Sequence, residues 1–270
     1  MLEKLFSPAS VAVVGASRTP GKVGHDILAN LVAGGFTGEI IPVNPAGGTM
    51  FERKVVAKLS DYRKPVDQVI VVVPGQYVLD VAREAVARQA GAIIVISAGF
   101  RETGEDGTQL QDQLADICRR GGASLLGPNC LGMINTETNL NSSFAGSMPE
   151  PGSISVFSQS GALCTAMLDM AKNRHIGLAK LISIGNKAEL SEVDMLMALA
   201  RDQQTKVIVG YLEDISSGDE FIKAAEEASN HKPVIILKSG TTAAGQKAAA
   251  SHTGVLSGTD TAYGAAFKRS

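Results

Sequence analysis

Apolar runs of strand length alternate along the chain with longer stretches in which apolar positions recur every three to four residues. The runs at 10–14, 39–43, 67–73, 92–97 and 124–126 are bounded by Gly, Pro or Asn, which predicts buried strands. Between them, 23–33, 78–89 and 109–119 have helical spacing. Near-continuous apolar strands separated by amphipathic helices predict a parallel sheet covered on both faces.

The rhythm breaks at 135–152, NTETNLNSSFAGSMPEPG, whose Asn, Ser, Thr, Gly and Pro content predicts a loop crossing between domains. It then restarts, with strands predicted at 154–157, 178–184, 207–212 and 234–237 and helices at 161–172, 193–201 and 218–228. A small-residue stretch follows at 240–257. The tail 262–269 reads as a helix without a capping signal, as expected of a subunit end or a cut fragment. At 270 residues the chain is long enough for two domains. The expected division is 1–127 and 153–270, joined by an inter-domain segment at 128–152.

Composition narrows the class. Apolar residues make up 44% of the chain, enough to offset chain entropy, so disorder is excluded. Charge is nearly balanced, 25 basic against 27 acidic residues, with no basic stripe to hold nucleic acid. Cys118, Cys130 and Cys164 fit no CxxC pattern, and an odd, dispersed set favours reduced thiols and a cytoplasmic setting. The start, MLEKLFSPASVAVVGAS, leads from a strand into a glycine turn and does not read as a signal peptide. No apolar stretch approaches the ~18 residues of a membrane span, so a soluble protein without membrane partners is expected.

The first chemistry lies in VAVVGASRTPGKVG, residues 11–24. Gly15, Gly21 and Gly24 fall between a strand and a helix, where free N–H groups and a positive helix end meet a phosphate and a Cβ would block its approach. A dinucleotide fingerprint needs G-x-G-x-x-G and an acid about 20 residues on. Here position 17 is Ser and the second strand ends at Asn44, which disfavours NAD and a NAD-dependent oxidoreductase. A Walker loop fails as well: Gly15 and Gly21 are one residue too far apart, and Val23 stands where Ser or Thr would meet Mg²⁺. Another phosphorylated nucleotide, or a tight turn without ligand, both remain open at this point.

Taken in order, GASRTPGKVG, NPAGGTMF, GPNCLGMIN, SQSGALCTAML, SIGNKAELSEVDML and SHTGVLSG resemble segments of the ADP-forming acyl-CoA synthetases, whose members include ADP-forming acetate–CoA ligase and the alpha subunit of succinyl-CoA synthetase. The likeness runs along essentially the whole chain. It implies an α/β protein of two doubly wound domains, an N-terminal Rossmann-like domain that binds coenzyme A and a C-terminal flavodoxin-like domain with a phosphohistidine loop. By the resemblance, Gly15, Ala16, Ser17, Lys22, Val23 and Gly24 hold the CoA phosphates. Asn44 and Pro45 lie near the adenosine, and Pro74, Ser97, Ala98 and Gly99 line the same cleft. Asn129 sits toward the thiol end. His252 matches the phosphorylated histidine, Glu213 the acid that pairs with it, and Ser160 and Gly161 the helix end that receives the phosphate. In succinyl-type relatives the residues around the histidine are richer in Gly and Ala, with the His-x-Gly core shared.

These residue types suit that chemistry. An imidazole attacks phosphorus only through an unprotonated nitrogen, which its near-neutral pKa provides. A carboxylate on the other nitrogen sets the tautomer and stabilises the cationic ring. Glu213 ends a predicted strand, and strand ends and loops share one face of such a sheet. Ser158–Gly161 is a second strand-to-helix anion site, whose N–H groups would neutralise a phosphoryl group. A lone His in a polar loop is ordinarily a solvated side chain, so His252 draws its weight from the motif; His25, His175 and His231 have none. A hydrolase elbow is excluded because G-x-S-x-G is not satisfied. Cys130 and Cys164 read as small core residues.

No metal-ligand cluster is apparent, and nothing resembles a complete ATP site. The resemblance places ATP, ADP and Mg²⁺ on an ATP-grasp module, in another subunit or fused chain, and an oligomer is expected. The implied function is acyl-CoA synthesis from a small carboxylic acid, CoA and ATP. Its alternative is a CoA-binding sensor within a protein acetyltransferase fusion, against which the pairing of His252 with Glu213 argues. The acid, and the choice between ADP and GDP, are not legible.

Overall fold

The computed structural model of the chain describes residues 2–240. The first apolar runs form β1 (Ser10–Val14), β2 (Glu39–Val43), β5 (Gln68–Val71), β6 (Ala92–Val95) and β7 (Ser124–Leu126). They make a parallel sheet in the order β2-β1-β5-β6-β7. All positions of β1, β5 and β6 are buried, as Val- and Ile-rich strands covered on both faces require. The crossovers carry α2 (Val23–Ala33), α3 (Val78–Ala87) and α4 (Glu105–Gly121). Acids in the first turn of α4 and Arg119 and Arg120 in its last complement the helix dipole, and Gly122 ends it at φ 71°. A short helix α1 (Glu3–Phe6) and a small hairpin, β3 (Thr49–Met50) with β4 (Arg53–Lys54), complete this half.

The second sheet has the order β13-β12-β10-β11-β8-β9. Its parallel part is β10 (Pro151–Ser158), β11 (Leu178–Ser183), β12 (Val207–Leu212) and β13 (Val234–Lys238). The helices are α5 (Gly161–Asn173), α6 (Glu192–Arg201) and α7 (Gly218–Ser229). Ser191 and Asp194 close a capping box at the start of α6.

The segment expected to be a loop differs. β8 (Gly132–Asn135) and β9 (Leu140–Ser143) form an antiparallel hairpin on β11. Asn141, Ser142 and Ser143 are buried in it and hydrogen-bonded. The Ser143 hydroxyl donates to the Asn141 side chain at 2.6 Å, and the Ser142 hydroxyl bonds the Gln68 side chain of the first sheet. Asn30 on α2 donates to the Ser143 and Ala145 carbonyls at 2.8 and 2.7 Å. Polarity here marks a satisfied buried strand rather than a solvated loop.

One apolar cluster runs through both sheets, from Val11, Val13 and Ile94 to Phe157, Ile182 and Leu196. Among the described residues no helix is long and apolar enough to cross a membrane.

Candidate functional site

In each sheet the first of the parallel strands in chain order has a parallel neighbour on either side, so connections diverge at its C-terminal end and open a crevice there. In the first sheet that strand is β1. Gly15 follows it at φ 93°, because a Cβ would stand 2.3 Å from the Val72 carbonyl oxygen. A Cβ on Gly24 would meet the Gly15 carbonyl oxygen at 2.1 Å. Both glycines thus allow backbone to approach backbone, whereas the sequence argument required them for the ligand. Ala16 is buried and its N–H bonds the Val43 carbonyl oxygen at 3.2 Å. The Asn44 side chain donates to the Ala16 carbonyl at 2.7 Å and accepts from the Ala46 N–H at 2.8 Å, which ties the loop bearing Pro45 to the glycine turn. Arg18, which the sequence reading passed over, clamps this loop through the Gly47 and Thr49 carbonyls.

Lys22 is the N-cap of α2 and no side chain caps the helix. The first-turn N–H groups of Val23 and Gly24 have no intrahelical acceptor. Donors of this kind at a helix start are suited to phosphate.

Pro74 follows β5, and Ser97, Ala98 and Gly99 follow β6. The Ser97 hydroxyl donates to the Val73 carbonyl at 2.6 Å, and its own carbonyl accepts from the Asn129 N–H at 3.0 Å. Asn129 stands at φ 56° where the two halves meet. Its side chain lies 3.4 Å from that of Asn186, whose amide donates to Glu102 at 2.6 Å and Gln111 at 3.0 Å. Glu102 also accepts from the Gly99 N–H at 2.7 Å. Burial works to raise the Glu102 carboxyl, but the Asn186 amide and backbone donors outweigh it and hold it below its ordinary value.

In the second sheet the central strand is β10. Ser160 caps α5, its hydroxyl accepting from the Leu163 N–H at 3.2 Å. The N–H groups of Gly161 and Ala162 have no intrahelical acceptor. A Cβ on Gly161 would find only ordinary contacts, 3.5 Å from Leu131 Cβ. On neighbouring β12 the chain continues into Glu213 and Asp214, both buried. Gln159 locks them: its side-chain oxygen accepts from the Glu213 and Asp214 N–H groups at 2.6 and 3.1 Å, and its amide donates to the Asp214 carboxylate. Behind lies Lys187, its ammonium 3.0 Å from Asp214 and 2.8 Å from Glu192. Burial favours the neutral Asp214 acid, but Lys187 and Gln159 overcome this and lower its pKa.

A cavity of about 420 Å³ opens between the halves. Asn129, Ser160, Gly161 and Glu213, drawn from separate sequence motifs, line it together with Arg101 and Phe144. The Gly15–Gly24 turn, Asn44, Pro45, Pro74 and Ser97–Gly99 are not among its lining residues; they occupy the C-terminal edge of the first sheet. Cys130 lines it too, but burial pushes that thiol up to about 12, so it stays protonated and is no nucleophile. His252 lies outside the described residues. Among those described, no group of His, Cys, Asp and Glu is arranged to hold a metal. Sequence reasoning missed Gln159, Lys187, Arg101, Asn186 and Glu102. Gln159, Lys187 and Asn186 lay inside the quoted SQSG and SIGNK segments without a pattern that marked them; Arg101 and Glu102 lay in no quoted motif.

Comparison with known proteins agrees with this arrangement. Residues 9–136 match the family model described as a CoA binding domain, and 151–270 that of the succinyl-CoA ligase like flavodoxin domain. The chain is 40% identical to the alpha subunit of acetate–CoA ligase [ADP-forming] I from Pyrococcus furiosus, over all of this chain and 59% of the relative. It is 41% identical to 4-hydroxybutyrate–CoA ligase [ADP-forming] from Nitrosopumilus maritimus, over 98% of this chain and 38% of the relative. The chain therefore spans between about two fifths and three fifths of the length of these relatives. The solved structure of Ca. Korarchaeum cryptofilum dinucleotide forming acetyl-coenzyme A synthetase 1, in complex with phosphate and ADP, superposes with a TM-score of 0.96 at 38% identity, covering 100% of this chain and 58% of that one. With both halves matched in order, and with relatives at about 40% identity along its whole length, the chain belongs to the ADP-forming acyl-CoA synthetase family.

Proposed function

We propose that this chain is the CoA-binding and phosphohistidine-bearing part of an ADP-forming acid–CoA ligase. The supporting observation is that Asn129, Ser160, Gly161 and Glu213 converge on one cavity between a CoA-type sheet edge and a flavodoxin-like half. ATP and its Mg²⁺ are held by an ATP-grasp partner, a separate subunit or fused segment, and the assembly is an oligomer working in the cytoplasm. His252 takes the γ-phosphoryl group from ATP and ADP leaves. The substrate carboxylate then attacks phosphorus, the His252–phosphorus bond breaks, and an acyl phosphate forms. The CoA thiol, losing its proton, attacks the acyl carbon and inorganic phosphate departs.

This chain's residues contribute orientation and charge. Glu213 orients the imidazole and stabilises its cationic form. The N–H groups of Gly161 and Ala162 hold phosphoryl oxygens without reorganising as charge develops. The turn from Gly15 to Gly24, with Asn44 and Pro45, holds the CoA phosphates and adenosine; Pro74 and Ser97–Gly99 guide the pantetheine arm toward Asn129. The relatives' names include different acids, acetate and 4-hydroxybutyrate, so the class is a small carboxylic acid. A sensor without ligase activity is not favoured, since those relatives are ligases.

The test pairs the chain with an ATP-grasp partner and γ-labelled ATP. Wild type is expected to acquire an acid-labile label that His252→Ala does not, while both bind CoA in calorimetry. A label that persists in His252→Ala, or no label in either, sinks the reading.

A further inference from the structure

The role of one charged side chain in the cavity is still unassigned. Among the described residues, Arg101 is the only cation lining the space, and Glu213 the only acid. Arg101 opens a short 3-10 turn whose neighbours are anchored. Phe100 is fully buried, and Glu102 accepts from the Gly99 and Phe100 N–H groups while taking the Asn186 amide. These bonds anchor the backbone on either side of Arg101, which lines the cavity. Its Nε is buried and has no hydrogen-bond partner among the described residues. The Arg88 Nε and the Tyr62 and Ser239 hydroxyls share that state, but of these four only Arg101 lines the cavity, where a ligand could meet the cost of the unmade bond.

The same cavity holds Ser160, Gly161 and Ala162 at the start of α5. A planar fork of donors and a helix N-terminus therefore border one space, whose remaining wall includes Ile96, Leu131 and Phe144. A ligand with several anionic oxygens on one centre and a short apolar tail satisfies all three features.

We propose that Arg101 binds the non-bridging oxygens of the phosphoryl group held at the start of α5, in inorganic phosphate and in the acyl phosphate alike. This deepens the ligase reading and rests on it. The rival role is a counter-charge to Asp214, whose carboxyl feels Arg101.

The experiment is calorimetric titration of the full 270-residue chain with inorganic phosphate and, separately, acetyl phosphate. CoA is kept saturating so that the glycine turn is already filled. Arg101→Gln is expected to weaken both probes at least tenfold. Arg101→Lys, a point charge without the fork and the safer variant for folding, falls between it and wild type. CoA affinity stays within twofold throughout. Phosphate affinity unchanged in both variants overturns the proposal, whatever happens to their melting temperatures, because a counter-charge role predicts that pattern. A wild-type chain that binds neither probe also overturns it. Failure of wild type to bind CoA counts against the ligase reading instead, and the phosphate ratio between wild type and variants still decides Arg101.

Discussion

Gly15 and Gly161 follow β1 and β10, the strands at which the connections of the two sheets diverge, yet they are glycine for opposite reasons. At Gly15 the φ of 93° and the Val72 carbonyl oxygen 2.3 Å from a would-be Cβ exclude any side chain. Gly15→Ala is expected to cost about 2–3 kcal/mol, read as a lower urea midpoint, and to weaken CoA binding. At Gly161 a methyl group meets nothing closer than Leu131 Cβ at 3.5 Å. Gly161→Ala should hold stability within about 1 kcal/mol, helix propensity favouring Ala, yet weaken phosphate binding because the methyl occupies the cavity. If Gly161→Ala melts as early as Gly15→Ala, the space at Gly161 serves packing and not a ligand. Asn129, Ser160 and Glu213 were legible as candidates because each sits in a compact motif, and the structure brings the three to one cavity. Gln159 and Lys187 were not, because their significance depends on partners 54 and 27 residues away, a relation that no local pattern encodes.

Among elements, β1, β5 and β6 were legible because burial at every position leaves unbroken apolar runs, and β12 and β13 from their apolar composition although neither is buried throughout. The β8–β9 hairpin was not, because Ser142 and Ser143 are buried through hydrogen bonds to groups on other elements and Asn141 through one to Ser143 within the strand. The connection from β11 to α6 poses the same difficulty and has a clear energetic consequence. Lys187 stands at φ 56° with its side chain 1% exposed, between Glu192, fully buried, and Asp214. Glu192 in turn accepts from the Ser216 N–H at 2.7 Å, so one lysine ties α6 to the loop after β12 that bears Glu213. Lys187→Met leaves two buried acids without their cation and should destabilise the chain by about 3–5 kcal/mol in denaturant melts. A loss below about 1 kcal/mol would show that the network is not holding the loop. Asp214 adds a pH signature. Its folded pKa lies below its ordinary 3.8, so its contribution is fully present above that value and is lost as pH falls through the lowered one. Asp214→Asn should therefore flatten the fall in stability below pH 3.8, by at most about 1.4 kcal/mol per pH unit. An unchanged acid limb contradicts this pairing.

At the scale of the whole molecule, the question is whether two sheets mean two independent units. Domains within one chain ordinarily move and unfold separately unless the surface between them is large and apolar. Here one apolar cluster contains residues of β1, β5, β6 and β7 together with residues of β8 to β12, with no polar layer dividing it. Specific hydrogen bonds then fix the register of one half on the other. The Asn135 side chain donates to the Phe6 carbonyl at 2.8 Å, and Gln68, held within the first half by the Leu5 carbonyl at 2.8 Å, takes the Ser142 hydroxyl of the second. Over the cavity, Asn186 joins Glu102 and Gln111 of the first half to the loop after β11. Splitting the halves would expose core and strand these buried polar groups, a cost that neither half recovers alone. Cooperative unfolding is the consequence. In urea, hydrogen exchange followed peptide by peptide should show β1 and β10 losing protection at the same midpoint. Asn186→Ala should lower that shared midpoint without separating the two. Protection lost from the β1 sheet at a distinctly lower urea concentration than from the β10 sheet would mean that the cavity sits on a hinge rather than inside a single cooperative body. Glu213 and Arg101, which approach the cavity from different halves, would then depend on closure to act on one ligand.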